Sequence, residues 1–87
     1  MVDSSRIYRI LFDNCSNYAT HLRYMQLLDS CGARVQDYII DFKYRRVKYF
    51  VTLNLEISVF MERLYSSMDG DKVLEYSTNN SRGVSEL

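Results

Sequence analysis

The chain predicts an α+β fold, a four-stranded antiparallel sheet with two helices on one face in the order β-α-β-β-α-β. Three observations carry that expectation. Apolar residues alternate over "RIYRILFD", "ARVQDYIIDF" and "RRVKYFVTLNL", but recur every three or four positions over "NCSNYATHLRYMQLLDSC" and "EISVFMERLYSSMDG". Each helical stretch runs into a glycine, Gly32 or Gly70, the residue that accepts a helix-ending left-handed conformation. The composition, with 47% hydrophobic and 25% charged residues in 87, suits one small globular core.

Taken in order, the first strand sets Tyr8, Ile10 and Phe12 on one side and Ile7, Arg9 and Leu11 on the other. It ends at Asp13-Asn14, a turn or helix-start signal. The first helix has a stripe of Tyr18, Leu22, Met25 and Leu28, with Cys31 one turn further on, and Asn14 or Ser16 available as its cap. The β-branched and aromatic run after Gly32 begins a second strand. The third strand turns Val47, Tyr49, Val51, Leu53 and Leu55 toward the helices and Lys48, Phe50, Thr52 and Asn54 away. "KYR" between these two strands is the expected hairpin tip. The second helix buries Ile57, Phe60, Met61, Leu64 and Met68, with Asn54 as cap, and "DKVLEYS" closes the sheet. Two interleaved β-α-β units of this kind make the ferredoxin-like plan. One domain, residues 6–77, then lies between flexible polar tails, 1–5 and 78–87.

Eleven basic and eleven acidic residues cancel, so there is no overall cationic excess of the kind a nucleic-acid binder uses on phosphates. No apolar run approaches the roughly 20 residues that cross a bilayer, and no secretory leader is visible, so the chain itself is expected to make no membrane contact. Cys15 and Cys31 flank the first helix, on the order of 24 Å apart at 1.5 Å per residue, too far for a disulfide. Two reduced thiols suit a cytoplasmic location.

The stretch "FKYRRVKYFVTLNLE" reads as a solvated hairpin tip, with Lys43, Arg45 and Arg46, joined to a core strand. The alternative is a small RNA- or DNA-binding domain that uses the basic-aromatic hairpin 43–50, chiefly Arg45, Arg46, Lys48 and Phe50. RNA-recognition modules of this plan carry rings on both central strands, whereas the first strand here offers Ile7 and Leu11. Ile7, Leu11 and Phe50 would instead leave an apolar patch on the uncovered face, a surface for self-association or for a neighbouring domain.

No catalytic constellation, metal set or cofactor motif emerges. His21 is the single histidine, expected partly buried or at the surface, and no spacing pairs it with a nucleophile. Two separated cysteines and one histidine do not make a zinc site. "MDGDK", 68–72, lacks the further oxygen ligands of a calcium loop, and three scattered glycines cannot build a phosphate loop. The loop "DNCSN" joins the first strand to the first helix, where Asp13, Asn14, Ser16 and Asn17 could hold a small polar ligand.

The layout, with "LLDSCGARVQDYIIDF" placing a glycine-stopped helix before an alternating strand, resembles an ACT-type regulatory domain. That resemblance implies pairing through sheets or edges and, in many members, an amino acid held near the first loop, although "DNCSN" has no glycine there. A narrower resemblance, over residues 6–77, is to the cytoplasmic C-terminal domain of MgtC/SapB-family bacterial membrane proteins. It rests on His21-Leu22-Arg23 before a leucine-rich helix and on "TLNLEISVFMERLYSSMDGDKVLEYS". It implies a regulatory or oligomerisation module on the cytosolic side of an inner-membrane protein linked to magnesium transport. It carries over no magnesium ligand.

Overall fold

In the computed structural model the described residues are 7–68 and 73–79; in the latter stretch only Tyr76 has a described side chain. The elements are β1 (Ile7–Phe12), α1 (Tyr18–Ser30), β2 (Ala33–Asp41), β3 (Arg46–Leu53), α2 (Ile57–Ser67) and β4 (Val73–Asn79). The two expected tails, apart from Thr78 and Asn79, and Asp69 to Lys72 of "MDGDK" lie outside the described residues.

Two helices cover an antiparallel sheet in which β3 lies between β1 and β2. The backbone of β4 runs along the other edge of β1, giving the order β2-β3-β1-β4. In the centre, Ile10 faces Tyr49 and Phe12 faces Val47 across β1 and β3. Because side chains alternate on a strand, this register stacks the apolar residues of both strands on one side. Both helices share that side. Ile10 and Phe12 of β1, Val47, Tyr49 and Val51 of β3, Tyr24 and Leu28 of α1, and Phe60, Met61 and Leu64 of α2 form one core. Each such side chain, fully buried, contributes about 1.5–3 kcal/mol.

The helix limits correct the sequence reading in detail. Asn17, not Asn14 or Ser16, caps α1, its Oδ1 accepting from the Thr20 amide at 2.9 Å. Glu56, not Asn54, stands before α2 and makes no side-chain cap bond. At the other end of α1, Gly32 adopts φ +101°, the conformation a side chain resists. The hairpin tip is Phe42 to Arg45, one residue longer than "KYR". Asp41 Oδ1 accepts from the Lys43 and Tyr44 amides at 3.1 and 3.4 Å, and Arg45 closes the turn at φ +58°.

The largest departure is the rotation of α1. Its buried stripe is His21, Tyr24 and Leu28, whereas Tyr18 and Leu22, expected inside, are 55% and 48% exposed. His21 and Tyr24 can turn inward because their polar tips find partners, His21 on Tyr49 of β3 and Tyr24 on the Asp13 carbonyl just after β1.

Candidate functional site

The polar side chains that converge in the interior surround His21, which is only 1% exposed. As the fourth residue of α1, and the first buried one, it lies over β3, where its Nδ1 is 2.9 Å from the Tyr49 hydroxyl. That hydroxyl donates its one proton to the His21 carbonyl, also at 2.9 Å. It therefore accepts from the ring, so Nδ1 carries the hydrogen and Nε2 the lone pair. The Tyr38 ring of β2 closes over His21 at 4.4 Å and Tyr18 at 5.2 Å, while the Tyr49 ring stacks near parallel at 5.7 Å. Phe12 and Tyr24 extend the aromatic layer, stacked at 4.3 Å.

This environment disfavours charge. Burial pulls the His21 pKa below its ordinary value, because the imidazolium would lose water without gaining an anion. Burial likewise pushes the Tyr49 phenol far up, with nearby Cys15, Tyr24 and Tyr38 adding to the effect. At the outer wall the Tyr38 hydroxyl donates to Tyr18, which holds its proton and raises the Tyr38 phenol. The cluster is thus a neutral, hydrogen-bonded pin between α1 and β3. The group beside the imidazole is the Tyr49 hydroxyl, which burial keeps protonated. The expectation of a partly buried or surface histidine is corrected: His21 sits in the core. The pattern His21, Tyr24, Leu28 at i, i+3 and i+7 was the available signal.

Of the four loop residues expected to hold a ligand, Asp13 and Asn17 also make local hydrogen bonds. The Asp13 carbonyl accepts from the Tyr24 hydroxyl at 3.0 Å, and Asn17 serves as the cap, its Oδ1 also accepting from Thr20 Oγ1 at 3.1 Å. Asn14 is exposed with φ 64°, and Ser16 is exposed. Between Asn14 and Ser16, Cys15 is buried, and its amide donates to the Arg45 carbonyl at 2.8 Å, fastening the loop to the hairpin tip. A groove of about 430 Å³ lined by Ser30, Cys31, Val59, Glu62, Arg63, Ser66 and Ser67 lies at the opposite end of α1 from this loop.

The three residues expected on an open apolar face are not free. Leu11 and Phe50 are 8% and 5% exposed, and Ile7 is half-buried. Lys48, expected to look outward, is also buried. Exposed apolar area lies elsewhere: Tyr18 and Leu22 on α1, with Tyr38 of β2 next to Tyr18, Ile39 on the opposite face of the sheet, and Phe42 and Tyr44 at the hairpin. Both cysteines are buried free thiols, and burial raises the Cys15 pKa, which makes it a poor nucleophile.

Among the described residues no group of three or more His, Cys, Asp or Glu side chains could hold a metal ion, and no helix is long and apolar enough to cross a membrane. The ACT-type and MgtC/SapB resemblances rest on residue pattern alone, and nothing found among known proteins adds to either. No family model matches the chain, and no curated protein and no solved structure matches it.

Proposed function

We propose that this domain is a non-enzymatic oligomerisation or regulatory module of ferredoxin-like, ACT-like build, and that its partner is a second copy of the chain. The strand order β2-β3-β1-β4 and the core shared by both helices support that build. The observation that carries the functional reading is the second apolar stripe of α1. Tyr18 and Leu22, one turn apart, are left outside by the packing of His21, Tyr24 and Leu28, and Tyr38 continues the surface onto β2. An amphipathic helix needs one apolar stripe to join its own core, so a second, uncovered one marks a contact surface.

Side chains, not an extended strand ladder, make this contact. β2 is an edge strand, but its register shifts between Val35 and Asp37, and the Tyr38 amide donates to its neighbour Asp37 Oδ1 at 2.8 Å. A bulge and an occupied amide both discourage strand addition. The face moves accordingly from Ile7, Leu11 and Phe50 to Tyr18, Leu22 and Tyr38. The nucleic-acid alternative loses Lys48 and Phe50, both buried, and with them its stacking ring on the sheet.

Sedimentation equilibrium over the micromolar range tests the reading. The chain is expected to populate a dimer, and Leu22→Asp to return it to a monomer with an unchanged circular dichroism spectrum. A single monomeric species at every concentration overturns the proposal.

A further inference from the structure

We propose that the β2–β3 hairpin tip, Phe42 to Arg45, together with Arg46 at the start of β3, docks peripherally on an anionic bilayer surface. All five consecutive side chains are exposed. Phe42 and Tyr44 are 49% and 57% exposed, while Lys43 and Arg46 lie over the Tyr44 ring at 5.4 and 6.0 Å. Cations interleaved with rings, at a point that the rest of the fold leaves bare, match the chemistry of a headgroup layer. The charges meet lipid phosphates and carboxylates, and the rings settle at the depth where water gives way to acyl chains.

The turn is not composed for its own stability. Its geometry asks for a small residue at the left-handed position, and Arg45 occupies it at φ +58°. Glycine or asparagine would meet that conformation at lower cost. The one carboxylate from position 38 to 55, Asp41, is engaged on the turn amides of Lys43 and Tyr44. Local folding needs explain Asp41, but not the Phe-Lys-Tyr-Arg-Arg sequence that follows it.

A bilayer fits the shape better than a polynucleotide. Single-strand binding draws on a groove that tracks several phosphates and a platform on which bases stack. Lys48 and Phe50, the next residues of the hairpin that could supply one, are buried. These five residues present a single small contact, which a flat anionic surface accommodates. The contact is an adsorption and involves no membrane span.

Co-sedimentation of the full chain with vesicles tests this. Binding is expected to phosphatidylcholine vesicles that contain phosphatidylserine, to be absent with phosphatidylcholine alone, and to fade as salt rises. Arg45→Asn suits the turn and guards against misfolding, yet is expected to weaken binding about fivefold, the loss of one surface cation. Phe42→Ser is expected to weaken it further by removing the inserted ring. A failure to bind anionic vesicles, or binding that neither variant changes, overturns the proposal. So does tip-dependent binding of a labelled single-stranded oligonucleotide by a chain that ignores vesicles. Because Leu22 is outside the tip, a monomeric Leu22→Asp chain that still adsorbs separates this contact from self-association.

Discussion

The two helices solve the same packing task differently. α2 places Phe60, Met61 and Leu64 in the core, with Ile57 and Met68 half-buried at its ends, so a single apolar stripe meets a single apolar surface. α1 has two overlapping stripes, and the one that enters the core is the more polar: His21 and Tyr24 with Leu28. A tally of hydrophobicity favours Tyr18-Leu22-Met25, but hydrogen bonding reverses the choice. His21 and Tyr24 bury large rings and still satisfy their polar atoms, through Tyr49 and the Asp13 carbonyl. The lesson is that satisfied polarity competes with apolarity for interior positions, and the displaced apolar stripe is then free for a partner.

The strongest way to break this contrast is to truncate one residue of each class. Phe60→Ala, at the centre of α2, is expected to cost about 3–5 kcal/mol in urea unfolding. Leu22→Ala, similarly apolar in the sequence, is expected to change monomer stability by no more than about 0.5 kcal/mol, because its side chain lies outside. Similar losses at the two positions would mean that α1 is turned the other way.

A smaller effect sharpens the account of the polar stripe. Tyr49→Phe removes the hydroxyl that serves both the His21 carbonyl and Nδ1, which leaves two buried polar atoms without that partner. A loss of about 1–3 kcal/mol is expected in the same unfolding measurement. A neutral outcome would show that the hydrogen bonds are incidental to the rotation of α1.

The weakest expected effect is with pH. The folded His21 has a pKa below its ordinary 6.5, while in the unfolded chain it protonates near that value. The unfolded state then binds the extra proton, so the contribution of neutral His21 is complete above pH 6.5 and declines as pH falls from there toward the lower folded pKa. The melting temperature should drop on acidification through this window in the native chain, and less so in His21→Phe. Equal slopes in both chains would assign the acid sensitivity to carboxylates.

Much of the fold was legible because β1, β3 and α2 each carry one dominant period. Tyr8, Ile10 and Phe12 fall on the core side as the alternation implies, and so do Val47, Tyr49 and Val51. The α1 rotation had a signal in the spacing of His21, Tyr24 and Leu28, but nothing local chose that stripe over Tyr18-Leu22-Met25, since its deciding partners, Tyr49 and Asp13, lie 28 and 11 positions away. The candidate surfaces followed the same divide. The exposed basic tip could be read from its cations, but the burial of Leu11, Lys48 and Phe50 could not be read from strand alternation, which assigns a face and says nothing about what reaches it.

The bond from the Cys15 amide to the Arg45 carbonyl joins points 30 positions apart in the chain. It links the turn that carries the cations to the stretch leading into α1, only three residues before Tyr18. A displacement of the hairpin turn is therefore passed through one backbone bond to the start of α1, so the two proposed contact surfaces are not mechanically independent.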